Sequence, residues 1–218
     1  MNHENIYDHF LTYLKKEDKK QSVLFALSLL EEEKLSIEDL YKHILAPSLI
    51  FFECDVNDED ICIWKEHTRT SIIRTIIEAV YPYIVKRLEK IKPIGKKVVV
   101  LTPAFEYHEI GAIMVSHLMV LQGFDATYIG ANTPKQDIIS ALRAYHPDYI
   151  ALSVTNPYNI VVTQQICDEI KKFFPEIKII LGGQAFNDQA ALSSVKYDYL
   201  LSDFDAIKQF ADEVSVWS

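Results

Sequence analysis

Hydrophobic positions in the first part of the chain recur at helical spacing. Ile6, Phe10, Tyr13 and Leu14 share one helical face, and the polar run 15–20 breaks it. A second helical pattern runs through Val23, Leu24, Ala26, Leu27, Leu29 and Leu30 to Glu33. Ser36, Ile37, Glu38 and Asp39 read as a helix start, with a capping hydroxyl and two carboxylates in the first turn. That helix carries Leu40, Ile44, Leu45, Leu49, Ile50, Phe51 and Phe52, and the acidic stretch 53–60 reads as a turn. A fourth segment extends from about Ile63 to Ile91 and contains Pro82. Proline has no amide hydrogen, so a kink or interruption is expected there. Four such segments predict a four-helix bundle over residues 1–91.

After Lys92–Pro93–Ile94–Gly95–Lys96–Lys97 the pattern changes. Short apolar runs are expected to be strands near Val98–Leu101, Asp125–Ile129, Tyr149–Ser153, Ile177–Leu181 and Tyr199–Leu201. Helical patterns separate them, and a last helix is expected over Phe204–Val214. Alternating strands and helices predict an α/β domain over residues 97–218, a doubly wound five-stranded parallel sheet.

In such sheets ligands bind at the carboxyl ends of the strands. The end of the first strand carries Glu106 and His108 on one loop, followed by Gly111 at the start of a helix. A carboxylate two residues from an imidazole can hold one ring nitrogen and leave the other for a metal. The third strand ends in Ser153–Val154–Thr155, and the fourth in Gly182–Gly183. If strands one, three and four lie side by side, these residues line one crevice. Small hydroxyls narrow its wall, and glycines admit a bulky group close to the backbone. An ordinary strand-to-loop turn is the plainer reading of the glycine pair. Asn132 or Thr133 reads as a helix cap with Pro134 in the first turn, and Asn156–Pro157–Tyr158–Asn159 as another helix start.

The net charge of −9 argues against direct grip on nucleic acid. Cys54, Cys62 and Cys167 are odd in number and lack close paired spacing, which fits a reducing compartment and gives no zinc signature. No signal peptide or membrane span is visible, so a cytoplasmic protein is expected. An aspartate that would make a phosphoacceptor receiver is replaced by Ser153 and Thr155. The Gly-x-Gly-x-x-Gly of a dinucleotide enzyme is missing after the first strand.

Taken together, Glu106-x-His108-x-x-Gly111, Ser153-x-Thr155 and Gly182–Gly183 resemble the signature of cobalamin-binding domains. That resemblance covers about residues 21–218 and implies a flavodoxin-like sheet preceded by a helical bundle over the upper face of the corrin. It implies that His108 replaces the cofactor's benzimidazole as the lower cobalt ligand and that Glu106 orients it. The displaced nucleotide tail would pass Ser153, Thr155, Gly182 and Gly183, and Gly111 would let the next helix start close to the corrin. Haem on His108 is a weaker alternative, because the tail channel argues for a corrinoid.

Two subfamilies are similar to this chain. Corrinoid methyl carriers usually have aspartate where Glu106 stands; cobalamin-dependent photoreceptors of transcription regulation more often have glutamate. Those regulators also carry a Glu-His pair in the bundle, matched here by Glu66–His67, with His67 as a candidate upper cobalt ligand. At the position of their tryptophan this chain has Val56, and Trp64 stands nearby as a residue that could cover the corrin. The resemblance therefore implies a cobalamin sensor, light-responsive in some relatives, that signals through a partner protein. The alternative is a methyl carrier serving methyltransferases. Neither reading gives the chain a catalytic residue of its own. The adenosyl, methyl or hydroxo form and self-association stay open, and no membrane or direct nucleic-acid partner is expected.

Overall fold

The computed structural model describes residues 3–53 and 60–216. They fall into two compact units, Met1–Lys86 and Arg87–Ser218.

In the first unit, α1 (His3–Leu14) buries Ile6, Phe10 and Leu14, the positions its spacing singles out. The Asp18 side chain caps α2 (Lys19–Glu31) by accepting the Gln21 N–H at 3.0 Å. The Ser36 hydroxyl caps α3 (Ile37–Asp39) through the Asp39 N–H, also at 3.0 Å. This helix then widens into a π segment, Leu40–Leu45, before α4 (Ala46–Ile50). Leu40, Tyr41, Ile44 and Leu45 of the π segment are all buried, so four apolar side chains within one wider turn point to the core.

The long helix α5 (Cys62–Leu88) passes through Pro82 without ending, so of the kink or interruption expected there the interruption does not occur. Pro82 is exposed, so the carbonyl it leaves without a helical donor can be hydrated. Ile72, Ile73, Ile76, Ile77, Val80 and Ile84 are buried on either side of it and hold the helix in place.

Five parallel strands form the sheet of the second unit: β1 (Lys97–Pro103), β2 (Asp125–Thr133), β3 (Tyr149–Ser153), β4 (Lys178–Gly182) and β5 (Tyr199–Leu201). Their order is β2-β1-β3-β4-β5, the flavodoxin-like arrangement. The connecting helices are α6 (Ile110–Leu121), α7 (Lys135–Tyr145), α8 (Ile160–Phe173) and the short α9 (Gln189–Ser193), and α10 (Phe204–Val216) follows β5. Helices α6 and α10 pack together, as do α7 and α8. Ile150, Leu152, Ile179 and Leu181 join Ile138, Leu142, Ile166 and Ile170 in one core layer. The chain leads from β1 outward to β2 on one side and from β3 outward to β4 on the other, so the loops after β1 and β3 diverge from one point between these parallel neighbours.

Cys167 lies in this core with no pairing, and burial pushes its thiol up to about 12, so it packs rather than reacts. Cys62 is disulfide-bonded, against the expectation of unpaired cysteines; three cysteines leave room for one pair and one single thiol. Cys54 and Val56 lie outside the described residues. Among the described residues, no helix is long and apolar enough to cross a membrane.

His117 on α6 is 9 % exposed, and burial holds its imidazole at about 4 instead of 6.5. Between those values the unfolded chain takes up a proton that the folded chain refuses. The stabilisation is therefore complete above pH 6.5 and lost as pH falls toward 4, by at most about 3 kcal/mol. Denaturant unfolding of cofactor-free protein at pH 7 and pH 4.5 should show this loss, and His117→Leu should flatten it. An equal acid slope in wild type and variant would show that other groups carry it.

Candidate functional site

The site begins with how the loop after β1 is tied down. Thr102 is fully buried; its hydroxyl donates to the Glu106 carbonyl at 2.6 Å and accepts the Asn132 N–H at 3.0 Å. The Glu106 N–H returns to the Pro103 carbonyl at 3.1 Å. Phe105 takes a left-handed conformation, φ +68°, uncommon for a bulky side chain. Its N–H donates to the Asn132 side-chain oxygen at 2.7 Å, and its carbonyl accepts from the Asn159 amide at 3.2 Å. This turn directs the Glu106 side chain inward, where it is 0 % exposed.

Buried carboxylates need donors on every lone pair, and Glu106 has them. Oε2 accepts the backbone N–H groups of Thr155 (3.0 Å) and Asn156 (2.8 Å) and the Asn159 side-chain amide (3.1 Å). Oε1 accepts the His108 N–H at 3.1 Å and lies 2.5 Å from its Nδ1. Burial by itself raises the carboxyl's pKa. The Asn156 N–H, the His108 ring, the Asn159 amide and the His108 N–H outweigh it, and Glu106 is held below the usual carboxylate range.

With Nδ1–H donating to the Glu106 carboxylate, a neutral His108 ring carries its lone pair on Nε2. The imidazole is 62 % exposed, and Nε2 has no partner among the described residues. The described residues also hold no cluster of three or more potential metal ligands. A metal taken by His108 must therefore bring its other ligands with it, and the donor set fits a metal already held in a macrocycle.

The neighbouring strand ends meet this loop as expected. Leu101 pairs with Leu152, and Ser153 pairs with Gly182, so the ends of β1, β3 and β4 are adjacent. Ser153 and Thr155 are half-buried, and their hydroxyls make no hydrogen bond among the described residues. Gly183 has its own structural reason: at φ +101°, an added Cβ would lie 2.3 Å from the Val154 carbonyl oxygen. The plainer reading, a strand-to-loop turn, thus accounts for Gly183 without any ligand. At Gly182 a Cβ would approach the Leu201 carbonyl to 3.2 Å, while at Gly111 it would meet open space. Phe105, Tyr107 and Tyr158 are exposed large aromatics on the same two loops.

Neither Asn132 nor Thr133 caps the next helix. Pro134 is the cap residue of α7, and Asn132, at φ +51°, serves the β1 loop instead. Asn156 does cap the short helical turn Pro157–Asn159 through the Tyr158 N–H. Sequence reasoning reads Asn159 as part of a helix start that could touch the corrin edge, and gives it no part in holding Glu106. Asn159 is 5 % exposed, and an asparagine two residues after a proline carries no local sign of a partner on another strand's loop.

Within the helical unit, the Glu66 carboxylate lies 2.7 Å from His67 Nδ1 on the second turn of α5, with His67 74 % exposed. Thr70 also donates to Glu66, at 3.2 Å. Trp64 is exposed, and Trp64 and His67 line one open groove of about 420 Å³ with Glu17, Lys19 and Ile72.

Residues 96–202 match the family model described as B12 binding domain. No curated protein sequence gives a match. Two solved structures share the fold. The Methanosarcina barkeri monomethylamine corrinoid protein aligns over 97 % of this chain and 99 % of its own, with TM-score 0.75 and 14 % identity. A chain of the methanol:cobalamin methyltransferase complex from Methanosarcina barkeri aligns over 98 % of this chain and 81 % of its own, with TM-score 0.52 and 14 % identity. The match falls on the unit whose β1 loop bears the buried Glu106 and the open His108 nitrogen, and residues 96–202 are similar to B12 binding domains.

Proposed function

We propose that this protein is a corrinoid methyl carrier that holds cobalamin with its own base displaced and His108 in its place. The observation that carries the reading is the Glu106–His108 pair: a fully buried carboxylate 2.5 Å from an exposed imidazole, at the edge where α/β sheets bind ligands. Cobalamin bound there would supply a cobalt centre able to accept and give up a methyl group. The chain's part is to bind, orient and tune. Glu106 fixes the tautomer and increases electron donation from Nε2. Ser153, Thr155, Gly182 and Gly183 would flank the nucleotide tail, and Gly111 would border the corrin. The carrier reading is also supported by fold likeness over nearly the full length of a corrinoid protein and to a chain of a methyltransferase complex. A methyltransferase is the corresponding partner class.

One observation favours a second reading, a cobalamin-dependent sensor: the exposed Glu66–His67 pair on α5, with Trp64 one turn earlier. In that reading His67 is a second candidate ligand, freed to bind cobalt when an alkyl group leaves.

Reconstitution with methyl-, adenosyl- and hydroxocobalamin tests both readings. Wild type should bind with the benzimidazole displaced, and His108→Ala should lose the histidine-ligated spectrum. A cofactor that keeps its own base on cobalt in the wild type would overturn the assignment. Methyl turnover with a corrinoid methyltransferase is expected of a carrier. Light-driven changes in assembly without turnover, abolished in His67→Ala, would replace it with the sensor.

A further inference from the structure

We propose that Asn132, at the end of β2, is a positioning residue for His108, acting through the turn at Phe105; this rests on the reading of His108 as the lower cobalt ligand. Its place comes from a departure in the sheet. Strands β1 and β2 keep a regular register as far as Val100 and Tyr128, but Leu101 then pairs with Gly130 and Pro103 with Thr133. Strand β2 thus carries two extra residues, Ile129 and one between Gly130 and Thr133. Without them the register would set Asn132 level with Ala104; with them it lies level with Thr102. Bulges bend a strand and re-aim its side chains, and they are common next to active sites.

The re-aimed residue grips the β1 loop at two points. Its N–H donates to the Thr102 hydroxyl oxygen and to the Glu106 carbonyl, each at 3.0 Å. Its side-chain Oδ1 accepts the Phe105 N–H at 2.7 Å. These bonds fall on either side of the one residue in the turn that resists its own conformation, Phe105 at φ +68°. Glycine would take that conformation freely; a phenylalanine needs neighbours to hold it there. The Phe105 ring is 66 % exposed, so packing of its side chain does not hold the turn and hydrogen bonds must. Asn132 is itself left-handed, φ +51°, a region that asparagine tolerates. Reversal of the chain at Phe105 turns Glu106 inward to 0 % exposure and leaves the His108 imidazole outside at 62 %. Without the Oδ1 acceptor, Phe105 can relax to an ordinary backbone region. That rotation draws Glu106 away from its donors and takes the imidazole with it.

Three substitutions separate this role from mere packing. Asn132→Gly keeps the left-handed backbone and removes the acceptor, Asn132→Asp keeps an acceptor, and Phe105→Gly removes the strain. In cofactor-free protein the Phe105 amide hydrogen should exchange roughly tenfold faster in N132G than in wild type, and N132D should restore slow exchange. N132G should also lower the urea midpoint, but leave it unchanged when made in F105G, where a glycine holds the turn unaided. If N132G alone does not fold, a folded F105G/N132G double variant gives the same answer. In protein loaded with cobalamin and reduced to Co(II), N132G should weaken the histidine-nitrogen splitting in the EPR spectrum. Cobalamin affinity should fall roughly tenfold, the lower end for groups that orient a metal ligand. In the F105G background the loss should shrink to less than about threefold, because the two residues act as a coupled pair. Equal losses in both backgrounds, or unchanged Phe105 exchange in N132G, would overturn the proposal. If wild type itself shows no histidine splitting, the lower-ligand reading fails, while the exchange rates and urea midpoints still decide whether Asn132 holds the turn.

Discussion

Glu106→Ala should destabilise the cofactor-free Arg87–Ser218 unit by about 3–5 kcal/mol and remove most cobalamin binding. The carboxylate is 0 % exposed, and four N–H groups besides the His108 ring converge on it. Alanine leaves those donors in a space too small and too dry to hydrate them all. Two loops lose a shared charged anchor, because Oε1 holds the β1–α6 loop and Oε2 the β3–α8 loop. Glu106→Gln should cost less, about 2 kcal/mol, since one oxygen remains while an NH₂ group faces N–H donors. Its effect on His108 should still be large, because a neutral amide polarises an imidazole far less than a carboxylate does. Urea unfolding and a spectral titration with hydroxocobalamin measure the two effects. A loss of stability below about 0.5 kcal/mol in Glu106→Ala would mean the buried cage is hydrated in solution.

Gly183→Ala should be destabilising by about 3 kcal/mol or more, with or without cofactor. The new Cβ would sit 2.3 Å from the Val154 carbonyl oxygen, at a φ of +101° that alanine resists. That carbonyl accepts the Ala185 N–H at 3.1 Å, and the Val154 N–H donates to the Gly182 carbonyl at 2.9 Å. Neither side can yield without breaking the seam between β3 and the end of β4. Gly111→Ala is the contrasting substitution. It lies in α6, a Cβ there meets nothing within 4 Å, and alanine is the better helix residue. Stability should stay level or rise by about 0.5 kcal/mol, while cobalamin affinity falls if the corrin packs on that helix start. Equal stability loss at both positions would show that backbone conformation, and not close approach, governs these glycines.

The order of elements was legible because each carries its own signal. The branched runs at Val98–Leu101, Tyr149–Ser153 and Tyr199–Leu201 alternate with helical spacing, and the strands formed there. Ser36 was readable as a cap because its reach is local. At Pro82 the interruption, one of the two outcomes expected there, did not occur, for a related reason. A proline's local cost is visible in sequence, but the packing of Ile72, Ile76, Val80 and Ile84 that outweighs it is not. The π segment at Leu40–Leu45 is likewise a response to the core and not to local propensity.

For the site, sequence alone determined the chemistry: a carboxylate two residues from an imidazole, hydroxyls on one strand end and glycines on another. Spacing along one loop suffices for that, since Glu106 and His108 meet through three residues of chain. Tertiary structure alone decided what makes the carboxylate an anchor. Asn159 arrives from 53 residues away and Asn132 crosses from β2, and neither has a local pattern that points to a partner. It also decided why Gly183 is a glycine, because the Val154 carbonyl that excludes a side chain belongs to the loop after β3. Side-chain periodicity reports which face is buried; which distant donors find a buried charge depends on how the strand ends are brought together.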